Sequence, residues 1–352
     1  MKLETLDNHA AIEKVSPKCP IFGICGGCAY QDLPYEEELR IKAEGLRDLF
    51  RKELAVGDEI FDDIVASPLP YHYRSRLDLG LLRTKSGEFF MGFMPQNSGR
   101  IVPAESCAIA REEISHFLPE LKKQAMARLP ENYRVANLVV RTGDDGRLFW
   151  GGIGRRSLKM QEKDYFWTEV RGKRIFYSLD TFFQANLSIL GLLMDQIEEA
   201  VKLDSGTVLY DLYSGVGLFG ISLAGKVKKV IMIEESEDST VLAGFNLRYH
   251  GQESKIEILT GKVEDYLPLL PQPLKGEKAV AVIDPPRKGL HAAALKALAA
   301  FPGTLLYLSC YPPSLVRDLK EMTREGRRIE KVIPFDFFPK TPHLETLVKL
   351  SR

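Results

Sequence analysis

No stretch of this chain approaches the apolar length of a membrane span, and Met1 to Pro20 lacks the hydrophobic region of a signal peptide. The expectation is a cytoplasmic protein that meets no membrane. An excess of one charge is also missing. Lys+Arg and Asp+Glu are both 48, so there is no global basic signal, and a nucleic-acid partner would have to be met by a local basic face. Cysteine is scarce: Cys19, Cys25, Cys28, Cys107 and Cys310. An odd number in a cytoplasmic chain argues against a disulfide framework. Repeats and low-complexity segments are absent. What is present, 352 residues with 45% hydrophobic and 27% charged, describes a soluble globular protein long enough for two or three domains.

One stretch organises the rest. Thr304 to Leu308 is a short apolar run that reads as a buried strand; it ends in Ser309-Cys310-Tyr311, and Pro312-Pro313 forbid its continuation. Ala279 to Ile283 is a second such strand, ending in Asp284-Pro285-Pro286-Arg287. Ligands of open parallel sheets sit outside the carboxyl ends of the strands. If the two strands are neighbours, Asp284 and Cys310 face one crevice. The plain alternative is that Cys310 is a small buried hydrophobe.

From the start, residues 1 to 18 read as a loosely held lead-in. Cys19, Cys25 and Cys28 then form a C-x5-C-x2-C cluster, with glycines that let backbone wrap closely around a bound centre. A closed site needs a fourth ligand, and Cys107 is the candidate besides Cys310. Four cysteines suit zinc or an iron–sulfur cluster. Glu36 to Glu53 reads as an amphipathic helix, and Ile64 to Ile153 as short strands of an antiparallel sheet. Tyr71-His-Tyr-Arg-Ser-Arg76 interleaves aromatics with cations, a string that can stack bases and touch phosphate or can be an ordinary strand with a solvated face. Arg155, Arg156, Lys159, Lys163, Arg171, Lys173 and Arg174 make a second basic stretch. Thr181-Phe182-Phe183-Gln184-Ala185-Asn186 is expected to open a helix whose apolar face includes Leu190, Leu193, Met194, Ile197 and Val201.

Strands and helices alternate from there. Strands are expected at Thr207–Leu212, Lys229–Ile233, Lys255–Leu259, Ala279–Ile283 and Thr304–Leu308. Helices are expected near Leu218–Ala224, Ser236–Tyr249, Ala292–Ala300 and Pro313–Arg324. This is a doubly wound α/β pattern. The first strand runs into Asp211-Leu-Tyr213-Ser-Gly215-Val-Gly217, a nucleotide-binding turn without the third glycine of the dinucleotide fingerprint. Glu234 ends the next strand, where an acid would accept hydrogen bonds from ribose hydroxyls. The pair fits an adenosine cofactor without pyrophosphate, and S-adenosylmethionine is the natural candidate.

Five motifs in order now resemble the RNA uracil-5-methyltransferase family, from Cys19 to Leu350: the cysteine cluster, Phe-Phe-Gln-Ala-Asn, Asp-Leu-Tyr-Ser-Gly-Val-Gly, Asp-Pro-Pro-Arg-Lys-Gly-Leu with Ser-Cys, and Phe338-Pro-Lys-Thr-Pro-His343-Leu-Glu345-Thr. The resemblance implies a Rossmann-like class I methyltransferase domain at 181–352, a β-rich RNA-binding domain at 61–180 and an iron–sulfur segment with a helix at 1–60. It implies a 4Fe–4S cluster on Cys19, Cys25, Cys28 and Cys107, rather than zinc. It implies cofactor contacts from Gln184, Tyr213, Gly215 and Glu234, Asp284 beside cofactor and base, Cys310 as nucleophile and Glu345 as base. Tyr311 stands where the family usually has Asn, and Leu218 where many members have a polar or aromatic residue. There is no room before Cys19 for the OB-like RNA-binding domain that many members carry, which resembles the ribosomal-RNA members. The expected partner is RNA, 23S ribosomal RNA before transfer RNA, met by a monomer. A non-catalytic iron–sulfur RNA-binding protein is the alternative from another class.

The chemistry accounts for the residue types. C5 of uracil is a poor nucleophile until a thiolate adds to C6 and makes the ring an enolate. The C5 proton must then leave before the sulfur is expelled, and a carboxylate can take it. Glu345 precedes Thr346-Leu-Val-Lys-Leu, a last strand; if antiparallel, it starts beside Cys310. A base within paired RNA has to be flipped out, and Phe182 is then a candidate stacking surface.

Overall fold

The computed structural model describes residues 13–95, 100–153, 158–270 and 277–352. Arg155, Arg156 and the first twelve residues of the lead-in lie outside them.

Helix α1 (Tyr35–Leu54) carries Leu46 and Phe50 on its buried face. Both side chains enter the core of the α/β half, beside Val332, Val348 and Leu319. A five-stranded antiparallel sheet follows, from β1 (Arg76–Arg83), β2 (Phe89–Phe93), β3 (Val102–Pro103), β4 (Val135–Thr142) and β5 (Leu148–Gly151), in the order β3-β2-β1-β4-β5. Helix α2 (Glu112–Arg128) covers one face with Ile114, Leu118, Leu121 and Ala125. The sequence reading did not anticipate it, nor the hairpin of β6 (Phe166–Val170) and β7 (Lys173–Tyr177).

The predicted helix opening at Thr181 is not formed. Helix α3 (Leu190–Val201) begins later, and the six residues from Thr181 form a loop clamped from several sides. The guanidinium of Arg141, fully buried on β4, donates to the carbonyls of Ser178, Thr181 and Phe183 at 2.7–3.0 Å. Asn186 donates to Ser67 Oγ and the Phe337 carbonyl. With carbonyls held by these donors, helical bonding cannot start until the clamp ends.

The second sheet holds β8 (Thr207–Leu212), β9 (Lys229–Glu234), β10 (Ile256–Thr260), β11 (Lys278–Ile283), β12 (Thr304–Ser309), β13 (Arg328–Phe335) and β14 (Glu345–Ser351), in the order β10-β9-β8-β11-β12-β14-β13. The first five are parallel; β14 runs antiparallel between β12 and β13. Helices α4 (Leu218–Leu223), α5 (Glu237–His250), α6 (Val263–Tyr266), α7 (Ala292–Ala300) and α8 (Pro312–Arg324) make the crossovers. Two cores line the two faces of this sheet. Among the described residues no helix is long and apolar enough to cross a membrane.

Candidate active site

Register brings the site together. Parallel pairing sets Ile283 of β11 against Tyr307 of β12, so Asp284 and the Ser309-Cys310 end emerge at one edge. Antiparallel pairing sets Ser309 against Thr346, which places Glu345, first residue of β14, beside Cys310. Tyr311 N–H donates to Ser309 Oγ, and Ser314 on α8 donates to the carbonyls of Tyr311 and Arg287. Those bonds fix the strand end and the Asp-Pro-Pro-Arg loop to one helix.

Electrostatics here are those of a dry, acidic crevice. Burial above all, and then the charges of Glu345 and Asp284, push the Cys310 thiol up to about 12, while Arg287 partly offsets them. Arg287 lies 4.9 Å from the Tyr311 ring centroid. Glu345 is 3% exposed, its Oε2 has no hydrogen-bond partner, and burial next to Asp284 raises its carboxyl well above the usual range. The Asp284 carboxyl is raised by desolvation, with the Gln184 amide, 3.4 Å away, working against it. His343, which precedes Glu345, is held below its ordinary value by burial and by Arg287, Lys42 and Arg74.

The glycine turn lies next door on β8. Tyr213 (φ 61°) and Gly215 (φ 54°) take left-handed backbone, and burial raises the Tyr213 phenol. Gly215 N–H donates to Glu234 Oε2 at 3.0 Å and Ser236 N–H to Glu234 Oε1 at 2.8 Å, so both carboxylate oxygens of Glu234 are oriented by backbone. Gly217 takes left-handed backbone (φ 92°), which strains any side chain placed there, and a Cβ would also press on the ends of Ile221 and Met232. Phe182 is 70% exposed, because its neighbours turn inward: Thr181 is tied to Arg141, and Phe183 stacks on Tyr177 with centroids 4.3 Å apart.

Sequence reasoning passed over Asp211 and Ser214. Asp211 is fully buried at the end of β8, takes a hydrogen bond from Gly220 N–H at 2.7 Å, and has its other oxygen unpartnered; Ser214 Oγ is likewise buried and unpartnered. Burial raises Asp211 to about 8. The signal was readable: an acid inside an otherwise apolar strand is costly without a purpose.

The four N-terminal cysteines gather apart from this crevice. Burial raises Cys28 to about 12, and Cys107, Cys25 and Cys19 each add to the rise by their charge. Burial likewise raises the Cys107 thiol, with the nearby backbone N–H groups of Ile109 and Ala110 working against the rise. Among the described residues no three Cys, His, Asp or Glu side chains stand at metal-holding geometry. The segment is tied to the catalytic half: Ala29 and Tyr30 N–H donate to the carbonyl of Lys340, on the loop that leads to Glu345. Among the described residues, several members of the two basic strings have partners within the chain, though Arg171 and Arg174 remain exposed. Tyr73 is buried, Lys173 donates to the Ile221 carbonyl, Arg174 stacks on Trp167, and Arg171 pairs with Glu198.

Comparison with known proteins agrees with this architecture. Residues 275–352 match the family described as tRNA (Uracil-5-)-methyltransferase. The chain is 29% identical over 392 residues to an uncharacterized RNA methyltransferase of Clostridium tetani, covering 96% of this chain and 84% of the relative. It is 29% identical over 388 residues to another of Thermotoga maritima, covering 97% and 85%. The solved tRNA (uracil-54, C5)-methyltransferase of Pyrococcus abyssi, in complex with S-adenosyl-L-homocysteine, superposes with a TM-score of 0.70 at 23% identity, over 92% of this chain and 86% of that one. The fold is therefore the α/β methyltransferase fold with a mixed sheet.

Proposed function

We propose that this chain is an S-adenosylmethionine-dependent RNA methyltransferase acting on C5 of a uridine. The observation that carries the reading is the β12–β14 register, which sets a thiol, Cys310, beside a buried carboxyl with a free oxygen, Glu345. Cys310, its proton given up to solvent, adds to C6 of the uracil as the thiolate, and Glu345 takes the C5 proton so that the sulfur can be expelled. The bound cofactor would supply an electrophilic methyl group to C5. Gln184, Tyr213, Gly215 and Glu234 would contact that cofactor, Asp284 would stand beside cofactor and base, and exposed Phe182 would receive the flipped base.

The four gathered cysteines support the 4Fe–4S reading over zinc only through the family resemblance; their amide donors fit either anionic centre. The same resemblance supports division into 1–60, 61–180 and 181–352 and places 23S ribosomal RNA first as target. Transfer RNA is the second reading, favoured by the description of the matched family and by the substrate of the Pyrococcus abyssi enzyme. The test is mass-spectrometric mapping of 5-methyluridine in ribosomal and transfer RNA from cells with and without the protein. One uridine should lose its methyl group in the deleted strain; unchanged RNA in both pools would reject the proposal.

A further inference from the structure

The carboxyls around the crevice share an unusual feature. Asp211, Glu234, Asp284 and Glu345 come from the ends of β8, β9, β11 and β14, at one edge of the sheet, with Cys310 of β12 among them. Among the described residues their hydrogen-bond donors are neutral: the Gly220, Gly215 and Ser236 N–H groups and the Gln184 amide. Buried Asp211 Oδ1 and Glu345 Oε2 have no hydrogen-bond partner among the described residues. One other group of buried carboxyls in this chain is, by contrast, given cations. Buried Glu38 and Asp336 share Lys42 at 2.8 and 2.7 Å, with Lys340 3.1 Å from Glu38. The positive groups around the crevice, Arg287, Lys42 and Arg74, act on His343, and Arg287 acts also on Cys310.

We propose that this edge is a cation site completed by the positive charge of the methyl donor, so that donor binding expels protons from the acid cluster and the neutral product is held less firmly. The inference rests on the S-adenosylmethionine reading above. Its physical basis is mutual repulsion in a desolvated space: Asp284 and Glu234 raise Asp211, Asp284 raises Glu345, and Glu345 and Asp284 raise Cys310. A sulfonium held beside Asp284 favours the ionised forms of Asp284, Asp211 and Glu345, and the Cys310 thiolate that must attack. Methyl transfer turns the sulfonium into a neutral thioether, so the charge leaves with the methyl group and the carboxyls take protons back from solvent. The donor and S-adenosylhomocysteine otherwise carry the same ammonium and carboxylate, so the sulfonium is the one variable between them. The same negative edge repels a pyrophosphate, in keeping with a turn that lacks the third glycine.

The test is calorimetric titration of the intact protein in buffers of different ionisation heat, which counts protons exchanged on binding. S-Adenosylmethionine, and its analogue with an amine in place of the sulfonium, should release protons, and S-adenosylhomocysteine fewer. The Kd of the donor should fall by up to about tenfold per pH unit between about pH 6 and about pH 8, and that of the product less steeply. Asp284→Asn should narrow the difference. Equal proton counts and equal pH slopes for donor and product would overturn the inference and leave the cofactor reading standing. Failure of all three ligands to bind would overturn both.

Discussion

At the scale of single residues, the crevice has the thiol and both carboxyls biased toward their neutral forms by burial. Glu345→Gln keeps size and loses basicity. Cys310 would still attack, but the adduct could not collapse quickly. The variant should therefore accumulate a protein–RNA complex that survives denaturing electrophoresis, carries the transferred methyl group, and disappears when Cys310 is also replaced. Turnover at the parent rate would assign the proton to another group. Asp211 offers a stability test. Its folded value of about 8 lies above the ordinary 3.8, so the native state binds more protons than the unfolded state between them. Stability of the cofactor-free protein should then fall as pH rises through that window, and Asp211→Asn should flatten the fall, as read from thermal midpoints. An unchanged slope in the variant would show that Asp211 does not titrate as described. Cys310 and Asp284 were legible in the sequence because each follows an apolar run that stops at proline. Glu345 was legible only through family resemblance, since its place depends on β14 running antiparallel.

At the scale of elements, α/β alternation was readable because its strands are buried on both faces and so appear as short apolar runs. Thr207–Leu212 and Ala292–Ala300 have the bounds expected from sequence. Helix α2 was harder to see because Pro119 interrupts its pattern. The loop before α3 was misread as helix because its clamp, Arg141, is some forty residues away in sequence. That clamp yields a prediction. Arg141→Ala strips donors from three buried carbonyls, and should cost about 2–4 kcal/mol in chemical denaturation. It should also weaken the loop that carries Phe182 and Gln184, so RNA methylation should suffer in the fraction that remains folded. A loss below about 0.5 kcal/mol would mean that the loop holds itself.

At the scale of the molecule, two halves are joined at buried charges. Lys42 of α1 bridges Glu38 and Asp336, and Lys340 of the loop before β14 accepts hydrogen bonds from the cysteine segment through its carbonyl. The backbone that follows Cys28, at Ala29 and Tyr30, thus braces the loop that delivers Glu345. Protein purified without oxygen should be brown, with about four irons per chain; colourless protein with one zinc would refute the cluster assignment. Cys28→Ser should lower both iron content and RNA binding. The central claim is covalent attack by Cys310, and the most direct measurement is trapping with RNA in which the target uridine is replaced by 5-fluorouridine. Fluorine cannot leave as a proton does, so the account predicts a cofactor-dependent protein–RNA band on a denaturing gel, absent with Cys310→Ala, a variant that should still bind S-adenosylmethionine. Full methylation of ordinary RNA by Cys310→Ala, or an undiminished trapped band with that variant, would contradict it.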